Sequence, residues 1–378
     1  MKTNNVPTAK LLEQLHASAA AVKRPIAFME VCGTHTTSAF RCGLPSVMPG
    51  NVRLISGPGC PVCVTAQADI DRLIELGSRH DVILCTYGDM LRVPGSMGTL
   101  EKARMNGSRI EVVYSSMDAV QLARREPDSQ VVFAAVGFET TAPATAAAIC
   151  EAHRLSLKNF SVLASHKLII PAMRALLKST EAPRINGFLC PGHVSVIIGA
   201  DAYRPIVDEF GVACVIGGFE PAQIISALLC LTDMVQNHQV RLVNEYPEAV
   251  HPKGNRWAIA LLDQIFQPGD ARWRGMGVIP QSGLVLRPDY ERFDAARRFA
   301  LAEPEEREPA GCLCGKVISG AALPTECRLF GRACTPVSPI GPCMVSAEGT
   351  CSAWFKYGAL RNMRARPSPK TSLAEVIS

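Results

Sequence analysis

The sequence predicts an α/β protein built from two similar parallel-sheet α/β domains plus a smaller cysteine-rich domain. Short apolar runs rich in β-branched residues recur along the chain, and each gap between them has room for one helix. Strands that alternate with helices form parallel sheets with helices on both faces. The predicted strands are residues 25–31, 52–56, 82–87, 110–115, 131–138, 161–166, 187–192 and 212–218.

These strands fall into two sets of four, which indicates two similar halves, and a closed eight-stranded barrel is the alternative. We therefore expect one α/β domain over residues 1–120 and a second over residues 121–240. After residue 240 Gly and Pro are scattered, the regular alternation stops, and the end of the chain is rich in cysteine. Residues 241–378 are predicted to form the third domain.

The composition is that of a compact folded protein. Hydrophobic residues make up 48% and charged residues 19% of the chain, which excludes extended disorder. The net charge of +5 comes without a basic run and with 6% aromatic residues, so we expect no nucleic-acid partner. Helical spacing of the apolar residues between 11 and 19 predicts an amphipathic helix rather than a signal peptide. No apolar run is long enough to span a membrane, and we expect a cytoplasmic protein.

Cysteine is unusually frequent. Because no signal peptide is predicted, the 15 cysteines favour metal binding or redox chemistry over a disulfide scaffold. Some lie inside apolar runs and are predicted to pack in the core, namely Cys85, Cys150, Cys214 and Cys230. Another group crowds the tail, namely Cys312, Cys314, Cys327, Cys334, Cys343 and Cys351.

The spacing of the tail cysteines favours a [4Fe–4S] cluster. Zinc ribbons pair C-x₂₋₄-C units, which this tail lacks, and no histidine is nearby. An iron–sulfur cluster needs four thiolates that meet in space and not in sequence. A zinc site and plain structural thiols are the alternatives, and a spare dithiol beside a cluster would indicate electron transfer into a disulfide. The role of Cys343 stays open, and the expected ligands are Cys327, Cys334 and Cys351 together with Cys312 or Cys314.

A second group of thiols follows the first two predicted strands. Cys32 comes just after the first strand, and Cys60 and Cys63 follow the second in the turn "SGPGCPVC". A helix N-terminus there would lower the pKa of the Cys32 thiol and favour the thiolate. If the two strands are neighbours, the three thiols meet and can bind iron or zinc with positions open for other ligands. A thioredoxin-like dithiol of Cys60 and Cys63 alone is the alternative.

Further polar residues lie in loops at strand ends, where open α/β sheets bind their ligands. We predict catalytic or ligand-binding roles for four of them, and helix capping is the alternative. Neither a P-loop nor a G-x-G-x-x-G fingerprint after the first strand is present, so no nucleotide site is expected. The four residues are Thr34 and His35 after the first strand, Glu139 in "GFETT" and His193 in "PGHVS".

Several motifs together resemble the HypD family of hydrogenase maturation factors, in the family's motif order. The resemblance runs from about residue 25 to residue 358, and it includes every motif cysteine. The motifs are "MEVCGTHTTSAF", "SGPGCPVC", "VGFETT", "LCPGHVS", "GGFEP" and the tail "ECRLFGRACTPVSPIGPCMVSAEGTCSAW".

The resemblance implies an iron-binding scaffold on which the Fe(CN)₂CO moiety of [NiFe]-hydrogenase is assembled. The implied partners are a small HypC-type chaperone, which also supplies an iron ligand, and a transient HypE-type cyanide donor. Cys32 is implied as an iron ligand or nucleophile, and Cys60 and Cys63 as redox-active or iron-binding thiols. The third domain of the family is described with a [4Fe–4S] cluster. A stand-alone iron–sulfur-dependent thiol–disulfide oxidoreductase and a zinc-stabilised interaction module are the alternative functions.

Overall fold

The computed structural model describes residues 6–364, and side chains as far as residue 358. The outer limits of the predicted domains, residues 1 and 378, lie outside this range. The strands are β1 (Ile26–Glu30), β2 (Val52–Ser56), β3 (Val82–Thr86), β4 (Ile110–Val112), β5 (Gln130–Gly137), β6 (Phe160–His166), β7 (Gly187–Pro191), β8 (Ala213–Gly217), β9 (Leu242–Asn244), β10 (Phe266–Trp273) and β11 (Gly277–Leu286).

The helices alternate with these strands over most of the chain. Short 3₁₀ helices lie at Gly88–Arg92, Ala200–Tyr203, Pro288–Phe293 and Pro324–Glu326. The α-helices are α1 (Thr8–Ala21), α2 (Gly33–Arg41), α3 (Leu44–Val47), α4 (Pro61–Val64), α5 (Gln67–Gly77), α6 (Leu100–Met105), α7 (Ser116–Arg125), α8 (Ala142–Arg154), α9 (Ile169–Lys178), α10 (Gly192–Ile198), α11 (Arg204–Phe210), α12 (Pro221–Gln236), α13 (Arg256–Ile265), α14 (Ala295–Arg298), α15 (Cys314–Ile318), α16 (Pro342–Val345) and α17 (Thr350–Arg364).

Sheet one has five parallel strands in the order β2-β1-β7-β8-β9. Every residue of β7 and β8 is buried, as expected for parallel strands that are covered on both faces. Helices α1 and α12 pack on one face, where Leu15 and Leu228 are fully buried. The helical spacing of the N-terminal segment therefore predicted α1 correctly.

Sheet two has four parallel strands in the order β4-β3-β5-β6. Its strand β5 contains the continuous apolar run "VVFAAV", which is buried throughout. Helices α7 and α8 cover one face, and α13 packs on α8. The other face shares a core with sheet one, since Leu84 and Val132 belong to the same cluster of buried residues as Phe188 and Ile216. The predicted α/β class with parallel sheets is confirmed.

The strands are not divided between the two sheets in the order in which they follow each other along the chain. Strands β3 to β6, the whole of sheet two, lie between β2 and β7 of sheet one. The predicted boundary at residue 120 falls inside α7, and β9 of sheet one follows the boundary at residue 240. The grouping of the first four strands into one domain is therefore wrong, and so is the barrel alternative. An apolar run shows that a strand is buried but not which strand it pairs with, and β1 pairs with the distant β7.

An antiparallel hairpin of β10 and β11 packs against β6 and α9. It was not among the predicted strands, because Pro268, Gly269 and Pro280 interrupt its alternation of apolar and polar residues. Beyond the hairpin the chain returns to sheet one, where α17 packs on α2. No helix within residues 6–364 is both long and apolar enough to cross a membrane.

Candidate metal and thiol site

The two front thiol motifs meet at the carboxyl edge of sheet one. Strands β1 and β2 are neighbours, and the loops after them are hydrogen-bonded to each other through Gly33 N and Gly59 O at 3.1 Å. A side chain at Gly59 would overlap the backbone of Cys32. Glycine is therefore required at residue 59 for the Cys60 loop to lie against Cys32.

Strands β1 and β7 lie side by side where the strand order of sheet one changes direction. In open α/β sheets the crevice outside the carboxyl ends of such strands is the usual ligand site. Cys32 follows β1, and His193 follows β7. The topology therefore places a predicted iron ligand and a predicted histidine at the same crevice.

Cys60 and Cys63 form a disulfide across the short helix α4, with their Cα atoms 5.2 Å apart. Pro61 occupies the first helical position, where a missing N–H leaves no hydrogen bond unmade. The N–H of Cys63 donates to Cys60 Sγ at 3.2 Å. Both cysteines are buried. The pair is thus present as the oxidised form of the dithiol that its C-x-x-C spacing suggested.

Cys32 precedes the first residue of α2 and is buried. Burial raises the pKa of its thiol to about 12; the backbone N–H groups of His35 and Thr34 oppose this shift, and the charges of Glu30 and Glu348 reinforce it. The predicted low pKa is therefore wrong, because desolvation outweighs the effect of the helix N-terminus. A bound metal cation would lower the pKa of the Cys32 thiol, because a thiol loses its proton when it binds a metal.

Glu30, the last residue of β1, is a buried carboxyl group that the sequence analysis missed. Its Oε2 accepts a hydrogen bond from Cys32 N at 2.9 Å, and its Oε1 accepts one from the Thr36 hydroxyl. Burial raises its pKa to about 7, although these hydrogen bonds favour the ionised form. Glu30 therefore fixes the backbone that carries Cys32. A carboxyl group inside the apolar run "AFMEV" is the signal that could have identified it.

His35 lies in a cluster of rings from three loops of sheet one. Its Nε2 donates to Gly218 O at 2.9 Å, and its ring centroid is 4.8 Å from that of Phe219. Phe219 in turn stacks on His193 with centroids 4.0 Å apart. Burial lowers the pKa of His35 to about 4, so the ring is neutral at neutral pH. Because a carbonyl can only accept, Nε2 carries the proton and Nδ1, which has no partner, keeps a lone pair.

The tail adds a second carboxyl group to the crevice. Thr34 Oγ1 donates to Glu348 Oε1 at 2.6 Å, and Thr37 Oγ1 donates to Ala347 O at 3.0 Å. Burial lowers the pKa of His193, and the charge of Glu348 opposes that shift. Glu348 therefore acts on groups from two strand ends of sheet one. Glu348 was not among the predicted site residues, because no local pattern relates it to the first strand.

The six tail cysteines line a single small cavity, which holds about 10 Å³, or about one water molecule. Cys343, whose role the spacing left open, lies among them and accepts a hydrogen bond from Cys351 N at 3.1 Å. The donor set fits a [4Fe–4S] cluster, which requires four thiolates. No group of three or more His, Cys, Asp or Glu side chains in the described part of the chain is arranged as a ready metal site.

The disulfide helix lies next to the tail cysteines. Helix α15 begins at Cys314, α16 contains Cys343, and both pack against α4. Cys60 and Cys63 belong to the same cluster of buried residues as these two cysteines. The two groups of thiols, which the sequence places at opposite ends of the chain, are therefore neighbours in the folded protein.

Comparison with known proteins shows the family. The HypD family model, described as "Hydrogenase formation hypA family", matches residues 7–358. The chain belongs to the HypD family. The "Hydrogenase maturation factor HypD" of Azotobacter vinelandii is 46% identical over 360 residues, which cover 94% of this chain and 95% of that protein. The "Hydrogenase expression/formation protein HupD" of Azotobacter chroococcum mcd 1 is 45% identical with the same coverage. The "Hydrogenase maturation factor HypD" of Escherichia coli K12 is 41% identical over 353 residues, 92% of this chain and 94% of that protein.

The resemblance to the HypD family drawn from the motifs is thus confirmed. In this HypD chain most of the predicted front-end residues come together at the crevice of sheet one. Of the cysteines predicted to lie in the core, Cys85 and Cys214 are fully buried, whereas Cys150 and Cys230 are half-buried on α8 and α12. The residues that meet at the crevice are Cys32, Thr34, His35, Cys60, Cys63 and His193.

Glu139 lies elsewhere in the HypD fold, just beyond the carboxyl end of β5 in sheet two. Its Oε1 accepts from Ile169 N, the first residue of α9, at 2.9 Å, while its buried Oε2 has no hydrogen-bond partner. Burial raises its pKa to about 7. The capping alternative therefore describes part of its role, although the carboxyl group caps α9 and not the helix that follows it in sequence.

Proposed function

We propose that this chain is a hydrogenase maturation factor, an iron-binding scaffold on which the Fe(CN)₂CO moiety of [NiFe]-hydrogenase is assembled. The observation that carries this proposal is the position of Cys32. It lies at the crevice where the strand order of sheet one changes direction, against the loop that holds the Cys60–Cys63 disulfide. The names of the relatives, which are hydrogenase maturation and formation proteins, support the same function.

Iron is the cargo of the scaffold. Reduction of the Cys60–Cys63 disulfide takes up two electrons and two protons and yields two thiols. These thiols and Cys32 release their protons when iron binds. Three thiolates form an incomplete ligand shell, so positions on the iron stay open for cyanide and CO, and soft sulfur donors suit iron that carries such ligands.

The polar groups around Cys32 hold the added ligands and move protons to and from them. His35 Nδ1 has no partner, so it is free to accept a hydrogen bond. Thr34 and His193 supply further polar groups at the same crevice. Such contacts around a metal orient its ligands and tune its chemistry. Glu139 acts from sheet two, where its buried Oε2 has no hydrogen-bond partner and is free to accept a proton.

The tail cysteines would hold a [4Fe–4S] cluster, which when bound supplies single electrons. The contacts of α4 with α15 and α16 support electron delivery to the Cys60–Cys63 pair, because they bring that pair next to the cysteine cavity. Cys343 lines the same cavity, and its role stays open. The proposed ligands are Cys327, Cys334 and Cys351 together with Cys312 or Cys314.

The scaffold works with two partner proteins in the cytoplasm, where thiols stay reduced. A small HypC-type chaperone supplies a further iron ligand, and a HypE-type protein donates cyanide transiently. Three thiolates leave positions on the iron open, so a ligand from outside the chain can bind there. This supports the participation of both partner proteins.

Infrared spectroscopy tests the proposal. The chain is purified anaerobically with its HypC-type partner, and iron, sulfide and zinc are measured on the same sample. We expect absorption bands of metal-bound cyanide and CO, and we expect Cys32→Ser to abolish them. Cys42→Ser is the matched control, because Cys42 lies at the opposite end of α2 from Cys32 and its Sγ donates to the local carbonyl of Ala39 at 3.3 Å. A wild-type complex without these bands would contradict the proposal.

A thiol–disulfide oxidoreductase is the second candidate function, and the disulfide between Cys60 and Cys63 favours it. The two functions differ in what Cys32 does. An oxidoreductase needs only Cys60 and Cys63, so reduction of an added protein disulfide would survive the Cys32→Ser substitution. If that activity survives and the infrared bands are absent from the wild-type complex, the oxidoreductase is the better description.

A further inference from the structure

A buried arginine lies at the tip of the β10–β11 hairpin and has no role in the site described above. Arg274 is 1% exposed, and its Nη2 is buried without a hydrogen-bond partner. None of the ion pairs formed by the described residues includes it. A buried charge without a counter-charge destabilises a fold. The presence of this buried guanidinium group therefore points to an anion that it faces.

Hydrogen bonds tie Arg274 to the segment that follows the disulfide helix α4. Its backbone N–H donates to Val64 O at 2.9 Å, and its Nε donates to Thr65 O at 3.0 Å. Its Nη1 donates to Gln67 Oε1 at 3.1 Å. These bonds hold the guanidinium group within a few residues of Cys63 and leave Nη2 unpaired.

The same hairpin tip touches the helix that carries the tail cysteines. A side chain at Gly275 would overlap Gly315 of α15, so the two backbones are in direct contact. Arg274 directly precedes Gly275, so it lies beside the start of α15, which is Cys314. The positive charge of Arg274 therefore lies close to the cysteine cavity, although Arg274 does not itself line that cavity.

We propose that Arg274 is a positioning residue that supplies the positive charge facing the tail cysteine cavity and sets the reduction potential of the iron–sulfur cluster bound there. This inference rests on the proposed function for the presence of the cluster. A cluster held by four thiolates is an anion, and it gains one further negative charge when it accepts an electron. A buried cation stabilises the reduced form more than the oxidised form, because the Coulomb attraction grows with charge and is little screened.

The rival explanation is that Arg274 only anchors the hairpin through its hydrogen bonds to Thr65 and Gln67. The two explanations differ in what a change of charge does. An anchor affects the stability of the fold and leaves the potential alone. A charge facing the cavity shifts the potential even in a protein that is folded and fully loaded with iron and sulfide.

A redox titration of the full-length, anaerobically purified protein tests the inference. Iron and sulfide are measured first, and the potential is then read from the spectrum of the reduced cluster. Arg274→Gln is expected to disfavour the reduced cluster at least tenfold, a shift of about 59 mV to more negative potential for one electron. Arg274→Lys keeps the charge and is expected to restore most of the shift. Arg274→Met, which also removes the charge, replaces the glutamine variant if that variant does not fold.

Arg272→Gln is the matched control, since Arg272 lies two residues before Arg274, on β10, and pairs with Glu303 at 3.1 Å. It is expected to leave the potential unchanged. An unchanged potential in fully loaded Arg274→Gln would overturn the inference, and so would a lysine variant shifted as far as the glutamine variant. A wild-type protein that lacks iron and sulfide would overturn the cluster proposal itself, before any variant is compared.

Discussion

Thr34 Oγ1 donates a 2.6 Å hydrogen bond to Glu348, and this bond joins the start of α2 to the tail that runs into α17. The acceptor is a carboxyl group, and hydrogen bonds to charged groups are stronger than those between neutral groups. The bond therefore contributes to docking the tail on sheet one and to placing a second carboxyl group beside Cys32.

Thr34→Val and Glu348→Gln are each expected to lower the free energy of unfolding by about 1–2 kcal/mol. Because the two side chains share one bond, the double variant should lose about 1 kcal/mol less than the sum of the single losses. Urea unfolding measures all three. Thr37→Val, which removes an exposed bond to a backbone carbonyl, is the control with the smaller expected loss. Strictly additive losses would show that the two side chains do not interact in solution.

The disulfide of Cys60 and Cys63 predicts how many free thiols the protein contains. Metal-free protein unfolded without reductant is expected to show 13 reactive thiols, that is, 15 cysteines minus the two in the disulfide. Cys60→Ser frees the partner thiol and is expected to show one more thiol than the wild type. Cys42→Ser, which leaves the disulfide intact, is expected to show one fewer. Titration with a thiol reagent measures each count, and a wild-type count of 15 would contradict the disulfide.

Glu139 predicts that stability falls as the pH rises. Burial raises its pKa in the folded chain to about 7 from the model-compound value of 4.5, so the folded protein binds more protons than the unfolded chain between these values. The free energy of unfolding therefore decreases across this range, by about 2–3 kcal/mol for this group. Glu139→Gln keeps the acceptor for Ile169 N and removes the titration.

Urea unfolding between about pH 5 and pH 8 checks this expectation, with the window following from the pKa change. The decrease in stability should be smaller in Glu139→Gln than in the wild type. Glu101→Gln serves as the control, because Glu101 is exposed on α6. Equal slopes for the wild type and Glu139→Gln would show that this carboxyl group ionises normally in the folded protein.

His35 is expected to stay neutral throughout the physiological pH range. Burial lowers the pKa of its ring to about 4, so the NMR signal of its Cε1 proton should not move between about pH 5.5 and pH 8. His35→Ala identifies the signal by its loss. A signal that titrates with a midpoint near that of free histidine would show that the ring is solvated, and it would remove the argument for an available lone pair on Nδ1.

Replacement of a tail cysteine is expected to lower the iron content of the protein, whereas replacement of a cysteine elsewhere is not. The protein should bind about four iron and four sulfide per chain, and Cys334→Ser and Cys351→Ser should each lose most of both. Cys150→Ser, a half-buried cysteine on α8, is the control that should keep them. Chemical analysis after anaerobic purification measures both elements. Full iron and sulfide in both tail variants would exclude these cysteines as ligands.

The sequence was sufficient to locate the strands and the reactive loops. Parallel strands covered on both faces appear as short apolar runs, which is why β5 and β8 were found where they lie. Cys32 and the Cys60–Cys63 pair follow such runs directly, so their positions at strand ends could be predicted without knowing the sheet order. Local pattern determines these features, because each depends on residues close together in the chain.

The tertiary structure alone decided which strands are neighbours and what surrounds each reactive group. The pairing of β1 with β7, the approach of Glu348 to Thr34 and the placement of Arg274 between α4 and α15 all join residues far apart in sequence. The pKa of Cys32 is also decided by the tertiary structure. The helix N-terminus that would lower it was predictable, but the desolvation that raises it depends on every element packed around the thiol, and no local pattern of residues records that burial.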